Sequence, residues 1–164
     1  MVVGFGIAAA TAIMIGKAIG EGRKDIAEEY GRKFTMLGLL CGIGGAAVIL
    51  LLRPAILWGI GFEGEAARYL HLFLGMMTAY VIGQSVNSTW VVGIFRSGGD
   101  TRFGMILDMT TMWFGSILFS ALAAFVFHFP VPVIYAILLS DEFIKVPFCL
   151  WRYRKKVWLR DVTR

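Results

Sequence analysis

The sequence predicts an all-α polytopic membrane helix bundle of about five transmembrane helices. Hydrophobic residues make up 58% of the 164-residue chain, charged residues make up 16%, and the mean hydropathy is +0.73. This balance lies outside the range of soluble domains. The apolar residues form long runs that short charged clusters separate, and about 20 apolar residues are enough for a helix to cross a bilayer. The lipid bilayer is therefore the first expected partner.

The first two predicted spans cover residues 1–20 and 34–52. The first run is apolar up to Lys17, whose long side chain can reach the headgroups. Residues 21–33 carry too many charges for hydrocarbon and are expected to form a connector. The second run meets a charge and a helix breaker at Arg53–Pro54, so we expect the second helix to end there.

The remaining predicted spans cover residues 69–95, 103–128 and 133–151. The third run is uncharged and long enough for a tilted helix. The fourth is apolar except for Asp108 and a terminal histidine, and the prolines that follow it are expected to break the chain. The fifth carries three charged residues and leads into a basic tail at 152–164.

Positive charge is distributed unevenly between the two sides of this bundle. If successive loops alternate between sides, thirteen of the sixteen Lys and Arg residues fall on one side. These are Lys17, Arg23, Lys24, Arg32, Lys33, Arg96, Arg102, Arg152, Arg154, Lys155, Lys156, Arg160 and Arg164. Since short cytoplasmic loops retain Lys and Arg, the sequence predicts a multi-pass protein of the plasma or inner membrane with a cytoplasmic C-terminus.

Several classes of function are disfavoured. The net charge of +5 does not form a basic face with interleaved aromatic residues, so nucleic acid is not an expected partner. Cys41 and Cys149 lie in apolar stretches without metal-ligand spacing, so neither a metal nor another bound cofactor is expected. No HExxH, GxSxG or paired nucleophile and base indicates an enzyme.

Polar side chains recur on one face of the third predicted helix. They are spaced at i, i+4, i+7 and i+8, and they are Tyr80, Gln84, Asn87 and Ser88. The nearby Met76 and Met77 would supply the adaptable apolar contacts that promiscuous sites use. This face either lines a substrate cavity or forms interhelical hydrogen bonds that only pack the bundle, and the pattern leaves both interpretations open.

Four charged residues fall inside the last two predicted helices: Asp108, Asp141, Glu142 and Lys145. Antiparallel packing would place Asp108 and Lys145 at similar depth. Asp141 and Glu142 also precede Lys145 by four and three residues, so all three share one helix face. A proton-coupling role is one interpretation, and a structural polar network that sets helix register is the favoured one.

A glycine-rich basic turn joins the third and fourth predicted helices. Its characteristic residues are Arg96, Gly98, Gly99, Asp100 and Thr101. No GKT or GKS follows, which disfavours a phosphate-binding loop. We expect a tight turn in which Asp100 caps the next helix. The turn resembles the loop between the fourth and fifth helices of each lobe in multidrug and toxic compound extrusion (MATE) transporters.

The resemblance extends over most of the chain. Residues 16–22, with a following alanine, are similar to the family's GQxxGAG helix end, and Gly16 and Gly20 form a GxxxG pair suited to close helix contact. Trp113, the Pro-Val-Pro turn and the segment leading to Trp158 are similar to the last helices of bacterial members.

The resemblance implies an efflux transporter of twelve helices in two lobes, which exports amphipathic or cationic compounds by alternating access coupled to Na⁺ or H⁺. Residues 1–164 would hold helices eight to twelve, so the missing first helix of this lobe and the missing N-terminal lobe are implied partners. The family's usual coupling acids have no counterpart here, and the substrate and the ion stay undefined. A lipid-linked precursor flippase of the same superfamily and a nonfunctional truncated fragment are the alternatives.

Overall fold

The computed structural model describes residues 2–159 and confirms the all-α fold class. Met1 and the end of the predicted basic tail, including Arg160 and Arg164, lie outside the described residues. The helices are α1 Val2–Gly20, α2 Lys24–Ile60, α3 Gly64–Ser88, α4 Thr101–Thr110, α5 Phe119–Phe125, α6 Val131–Leu138 and α7 Asp141–Arg154. Two π-helical segments, Thr89–Phe95 and Thr111–Leu118, prolong α3 and join α4 to α5.

These elements form five rods that alternate in direction. We call the end of the bundle at which α1 and α7 finish the tail end, and the end at which α2 and α5 finish the opposite end. Three rods are long and apolar enough to cross a membrane: Val2–Gly20, Lys24–Ile60 and Thr101–Phe125. The other two rods contain the segments 69–95 and 133–151, whose membrane crossing stays a prediction.

The second helix is longer than the sequence predicts. Neither the charged connector nor Arg53–Pro54 interrupts α2, which runs unbroken for 37 residues. A proline removes one backbone hydrogen bond. The residues on both sides of Pro54 favour helix, so α2 continues through the proline. The helix ends where Gly61 takes a left-handed conformation (φ 66°), which glycine adopts without steric cost.

The fifth predicted helix is divided into two. The prediction of one continuous helix over 133–151 is wrong, because α6 ends at Leu138 and α7 begins at Asp141. The Ser140 hydroxyl donates a hydrogen bond to the Ile137 carbonyl (2.7 Å), and the Ser116 hydroxyl from the neighbouring rod donates to the Leu138 carbonyl (2.9 Å). These bonds satisfy backbone groups that the break leaves without helical partners.

The closest packing between rods is at glycines of α2. A Cβ on Gly42 would lie 2.9 Å from the Ile82 Cα, and a Cβ on Gly38 would lie 2.5 Å from the Thr89 hydroxyl. Such small residues allow two helix backbones to approach closely. The GxxxG prediction for Gly16 and Gly20 is wrong at its second position, because a Cβ on Gly20 would contact no atom of residues 2–159 within 4 Å.

The buried apolar core lies toward the tail end. Its largest fully buried members are Ile15, Ile94, Phe95, Cys149 and Trp158, and Trp90 packs with them. At the opposite end, Trp58 is 88% exposed and Phe125 is 81% exposed. Apolar side chains that face outward in this way suit contact with lipid.

Candidate functional site

A polar cavity of about 320 Å³ lies between α3, α4 and α7. Two groups of residues that the sequence singled out separately line it together. They are the α3 face of Tyr80, Gln84, Asn87 and Ser88, and the charged residues Asp108, Asp141, Glu142 and Lys145. The predicted Met76 and Met77 are half-buried on α3 and do not belong to its lining.

Lys145 stands at the centre of the charged group. Its Nζ lies 3.1 Å from Asp108 Oδ1, 3.1 Å from Asp141 Oδ2 and 3.3 Å from Glu142 Oε1. Asp108 comes from α4, whereas the other three residues share the first turns of α7. One ammonium group therefore connects two rods through three carboxylates.

The charges of this group do not balance. Three carboxylates against one ammonium leave two negative charges in excess when all four groups are ionised. Lys145, Asp141 and Glu142 are each exposed by less than a tenth, and the Asp108 side chain is 47% exposed. Because an uncompensated buried charge is costly, full ionisation of all four groups is unfavourable without a further positive charge.

The break between α6 and α7 explains where the acids lie. Asp141 and Glu142 occupy the first turn of α7, where free N–H groups and the helix dipole favour negative charge. Discontinuous helices with this arrangement mark binding sites in many transporters. In the sequence, the break between α6 and α7 is indicated by Ser140-Asp141-Glu142, which is a typical helix start. The apolar residues on both sides of these three led to the prediction of one continuous helix.

Asn87 links α3 to the start of α7. Its Nδ2 donates hydrogen bonds to the Glu142 backbone oxygen (2.6 Å) and to Glu142 Oε2 (2.8 Å). Gly83 lies one turn earlier on α3 and packs beside the same residue, since a Cβ there would lie 3.4 Å from the Glu142 Cβ. The polar face of α3 and the carboxylates of α7 therefore form one connected site.

Both π-helical segments begin beside the cavity. One follows directly after Ser88, and the other begins three residues after Asp108. Thr89 and Thr111, the first residue of each, donate hydroxyl hydrogen bonds to carbonyls four residues earlier, at 2.9 and 2.8 Å. Threonine hydroxyls compete in this way for helix carbonyls, and π-helical turns are frequent at functional sites.

An apolar cavity of about 460 Å³ adjoins the polar one. The two share Phe5, Gln84 and Ser88, and the apolar cavity extends between α1, α2 and α3 past Cys41 and Val48. A molecule with a charged group and an apolar body could place the charged group in the polar cavity and the apolar body in the apolar cavity.

The glycine-rich turn has a different role from the one predicted. Asp100 makes no capping hydrogen bond to α4, which begins at Thr101. Its carboxylate instead accepts two hydrogen bonds from Arg152, Nε to Oδ2 at 2.6 Å and Nη2 to Oδ1 at 2.9 Å. This bond raises the pKa of Arg152 above its usual value. A paired guanidinium holds the carboxylate more strongly than a backbone N–H does.

The rest of the turn fits closely against the tail. Gly99 is left-handed (φ 82°), and a Cβ on Gly98 would overlap the Trp158 backbone oxygen. Arg96 is exposed at the start of the turn. Arg152 and Trp158 were not identified as functional residues from the sequence, because their partners are more than fifty residues away along the chain.

Residues 1–122 match the family model described as MatE. The matched range contains the polar face of α3, the glycine-rich turn and Asp108, and α6 and α7 follow it. No curated protein and no solved structure is significantly similar to the chain.

Proposed function

The chain belongs to the MATE family of membrane efflux transporters, and from this premise we propose that it forms part of a secondary active multidrug exporter. The exporter would drive amphipathic or cationic compounds out of the cell by antiport with Na⁺ or H⁺. The observation that carries the proposal is the polar cavity, in which three carboxylates exceed the charge of one lysine.

The excess negative charge suggests how export and ion flow would be coupled. A cationic substrate and a coupling ion would both bind most strongly to the same carboxylates, so the arrival of one favours the release of the other. The adjoining apolar cavity would hold the hydrophobic part of the substrate. Antiport then follows from competition for one site.

Alternating access requires a second lobe. In this proposal a longer chain supplies the first helix of this lobe and the N-terminal lobe, within the plasma or inner membrane, with the basic C-terminus in the cytoplasm. A flippase for lipid-linked precursors would need to bind a phosphorylated headgroup, and that chemistry favours a positive cavity. The negative cavity therefore favours drug export.

The test uses the complete protein in a bacterial host that lacks its own efflux pumps. We expect it to confer resistance to a cationic dye, and Gln84→Leu combined with Asn87→Leu to abolish that resistance. Ser120→Leu, on α5 outside the polar cavity, is the control and should retain it. Full resistance in the double variant would contradict the proposed cavity. Dye transport in proteoliposomes, with a Na⁺ or a pH gradient imposed, would identify the coupling ion.

A further inference from the structure

An apolar groove of about 430 Å³ lies between α4, the π-helical segment that follows it and α7. It shares no residue with the two cavities described above. Ile106, Phe114 and Phe148 line it and are 50–63% exposed, so it opens outward. Its lining begins at Phe103 and ends at Phe119, which corresponds to roughly 24 Å of helix. One leaflet contains about 15 Å of hydrocarbon, so the groove is long enough for an acyl chain.

Two exposed cations lie at the tail end of this groove. Arg102 precedes Ile106 by four residues and lies on the same face of α4. Lys155 follows Phe148 by seven residues, so these two also share a helix face. The Lys155 Nζ lies 4.2 Å from the centre of the Trp151 ring, a side chain that is 51% exposed. Exposed tryptophan and lysine side chains at a helix end are typical of the headgroup level of a membrane.

The positive charges of Arg102 and Lys155 have no acidic partner within residues 2–159. The ion pairs in this part of the chain use other lysines and arginines. Asp100 is the acid nearest to the groove along α4, and Arg152 already binds it through two hydrogen bonds. The tail end of the groove therefore carries an excess of two positive charges.

We propose that this groove binds an anionic phospholipid, with an acyl chain along the apolar lining and the phosphate held by Arg102 and Lys155. Arginine binds phosphate oxygens through paired N–H groups, and lysine adds three donors. Basic pockets between membrane helices bind anionic headgroups in this way. A zwitterionic headgroup carries its own cation, which the same two residues would repel. Lipid binding here does not require transport and does not involve the polar cavity.

The test measures lipid binding to the complete protein in detergent by native mass spectrometry, with dioleoyl phosphatidylglycerol as the probe. Arg102→Gln combined with Lys155→Gln removes both cations, and we expect binding to weaken about tenfold or more. The matched control is Lys24→Gln combined with Arg32→Gln. Both of these residues are exposed toward the tail end on α2, which does not line the groove. The control loses the same charge and should bind the lipid as the wild type does.

A third variant tests the apolar part of the site. Thr110→Trp fills the groove partway along its lining and keeps both cations. It should weaken phosphatidylglycerol binding, and unchanged binding would reject the groove as the place of the acyl chain. All the substituted residues are exposed, so the variants should stay monodisperse. Phosphatidylcholine should bind the wild type no better than it binds the variant without Arg102 and Lys155.

Two further results would overturn the proposal. Displacement of phosphatidylglycerol by glycerol 3-phosphate would show that the two cations bind a free phosphate ester. Equal phosphatidylglycerol binding by the wild type and both double variants would exclude the groove, and is the result expected if another transmembrane helix covers it. Dye export by a protein with no preference for phosphatidylglycerol would reject the lipid site and retain the exporter, so the two proposals fail by different results.

Discussion

The two ends of the bundle are held together by different interactions. At the tail end, Trp158 stacks on Tyr153 (5.8 Å between ring centroids, 5° between planes), and Tyr153 stacks on Trp90 at 6.2 Å. Asp100 and Arg152 add a bidentate ion pair, and the Arg152 guanidinium lies 4.7 Å from the centre of a phenylalanine ring on α4. Aromatic stacking and paired charges are both directional, so this end has one preferred arrangement.

The opposite end depends mainly on apolar surface. Trp58 and Phe125 are almost fully exposed there, and the hydrogen bond from Arg53 to the His71 carbonyl (2.7 Å) connects α2 to α3. Lipid can cover such side chains without a specific geometry. The comparison indicates that specific interactions in this chain are concentrated where the tail meets the turns, while the opposite end has fewer of them.

Replacing a tryptophan at each end should give the largest contrast. Trp158→Ala removes a side chain that is 1% exposed and leaves a cavity beneath the tail, which we expect to cost about 3–5 kcal/mol. Trp58→Ala removes one that is 88% exposed and should change stability by less than about 0.5 kcal/mol. Thermal unfolding in detergent, followed by size-exclusion chromatography after heating, measures both. Equal losses would show that the two ends are equally well packed.

Adding a methyl group at each end should give a smaller contrast, in which the variant at the tail end loses stability and the variant at the opposite end keeps or gains it. The new Cβ in Gly98→Ala would collide with the Trp158 backbone oxygen, and relief of that overlap should cost about 1–3 kcal/mol. In Gly59→Ala, near the end of α2, the new Cβ meets no described atom within 4 Å. Alanine is the better helix former by about 1 kcal/mol, so the melting temperature should stay the same or rise. A stable Gly98→Ala protein would argue against the close fit between turn and tail.

Removing one acidic group at each end should give a contrast comparable to that of the glycine pair. Asp100→Ala deprives Arg152 of both its hydrogen bonds, and a charged hydrogen bond is worth about 1.5–3 kcal/mol. Glu63→Ala removes an exposed carboxylate at the opposite end and should have almost no effect. A double-mutant cycle with Arg152→Ala isolates the pair, because the second substitution should then cost little. Additive losses would mean that the two residues act independently.

The sequence predicted the existence of the helices better than their ends. Long apolar runs identified each rod, since crossing a bilayer demands length and hydrophobicity that are visible locally. Pro54 was predicted to end the second helix, but it only removes one backbone hydrogen-bond donor from α2. The helix ends instead at Gly61, which takes the left-handed conformation. The break before Asp141 was missed because no proline or glycine marks it in the sequence, and the three charged residues after it were placed inside one helix.

The candidate site was predicted in two parts but not as one cavity. Spacing on a single helix was enough to group Gln84 with Asn87, and to group Asp141 with Lys145. Contact between the two groups depends on the packing of α3 against α7, where Asn87 bonds to Glu142, and such pairing of distant helices has no local signal. The same limit explains the wrong role for Asp100, whose partner Arg152 lies 52 residues away.

Because α2 is long and unbroken, a small tilt of this helix displaces its ends by a large distance. A helix of 37 residues is about 55 Å long, whereas the hydrocarbon of a bilayer is about 30 Å thick. Part of the rod must therefore project from the membrane, and tilting it by about 10° would displace one end by roughly 10 Å relative to the other. Glu28, in the first turns of α2, pairs with Lys156 in the tail. A small change of angle within the bilayer is thus converted into a large movement at the point where the tail is anchored.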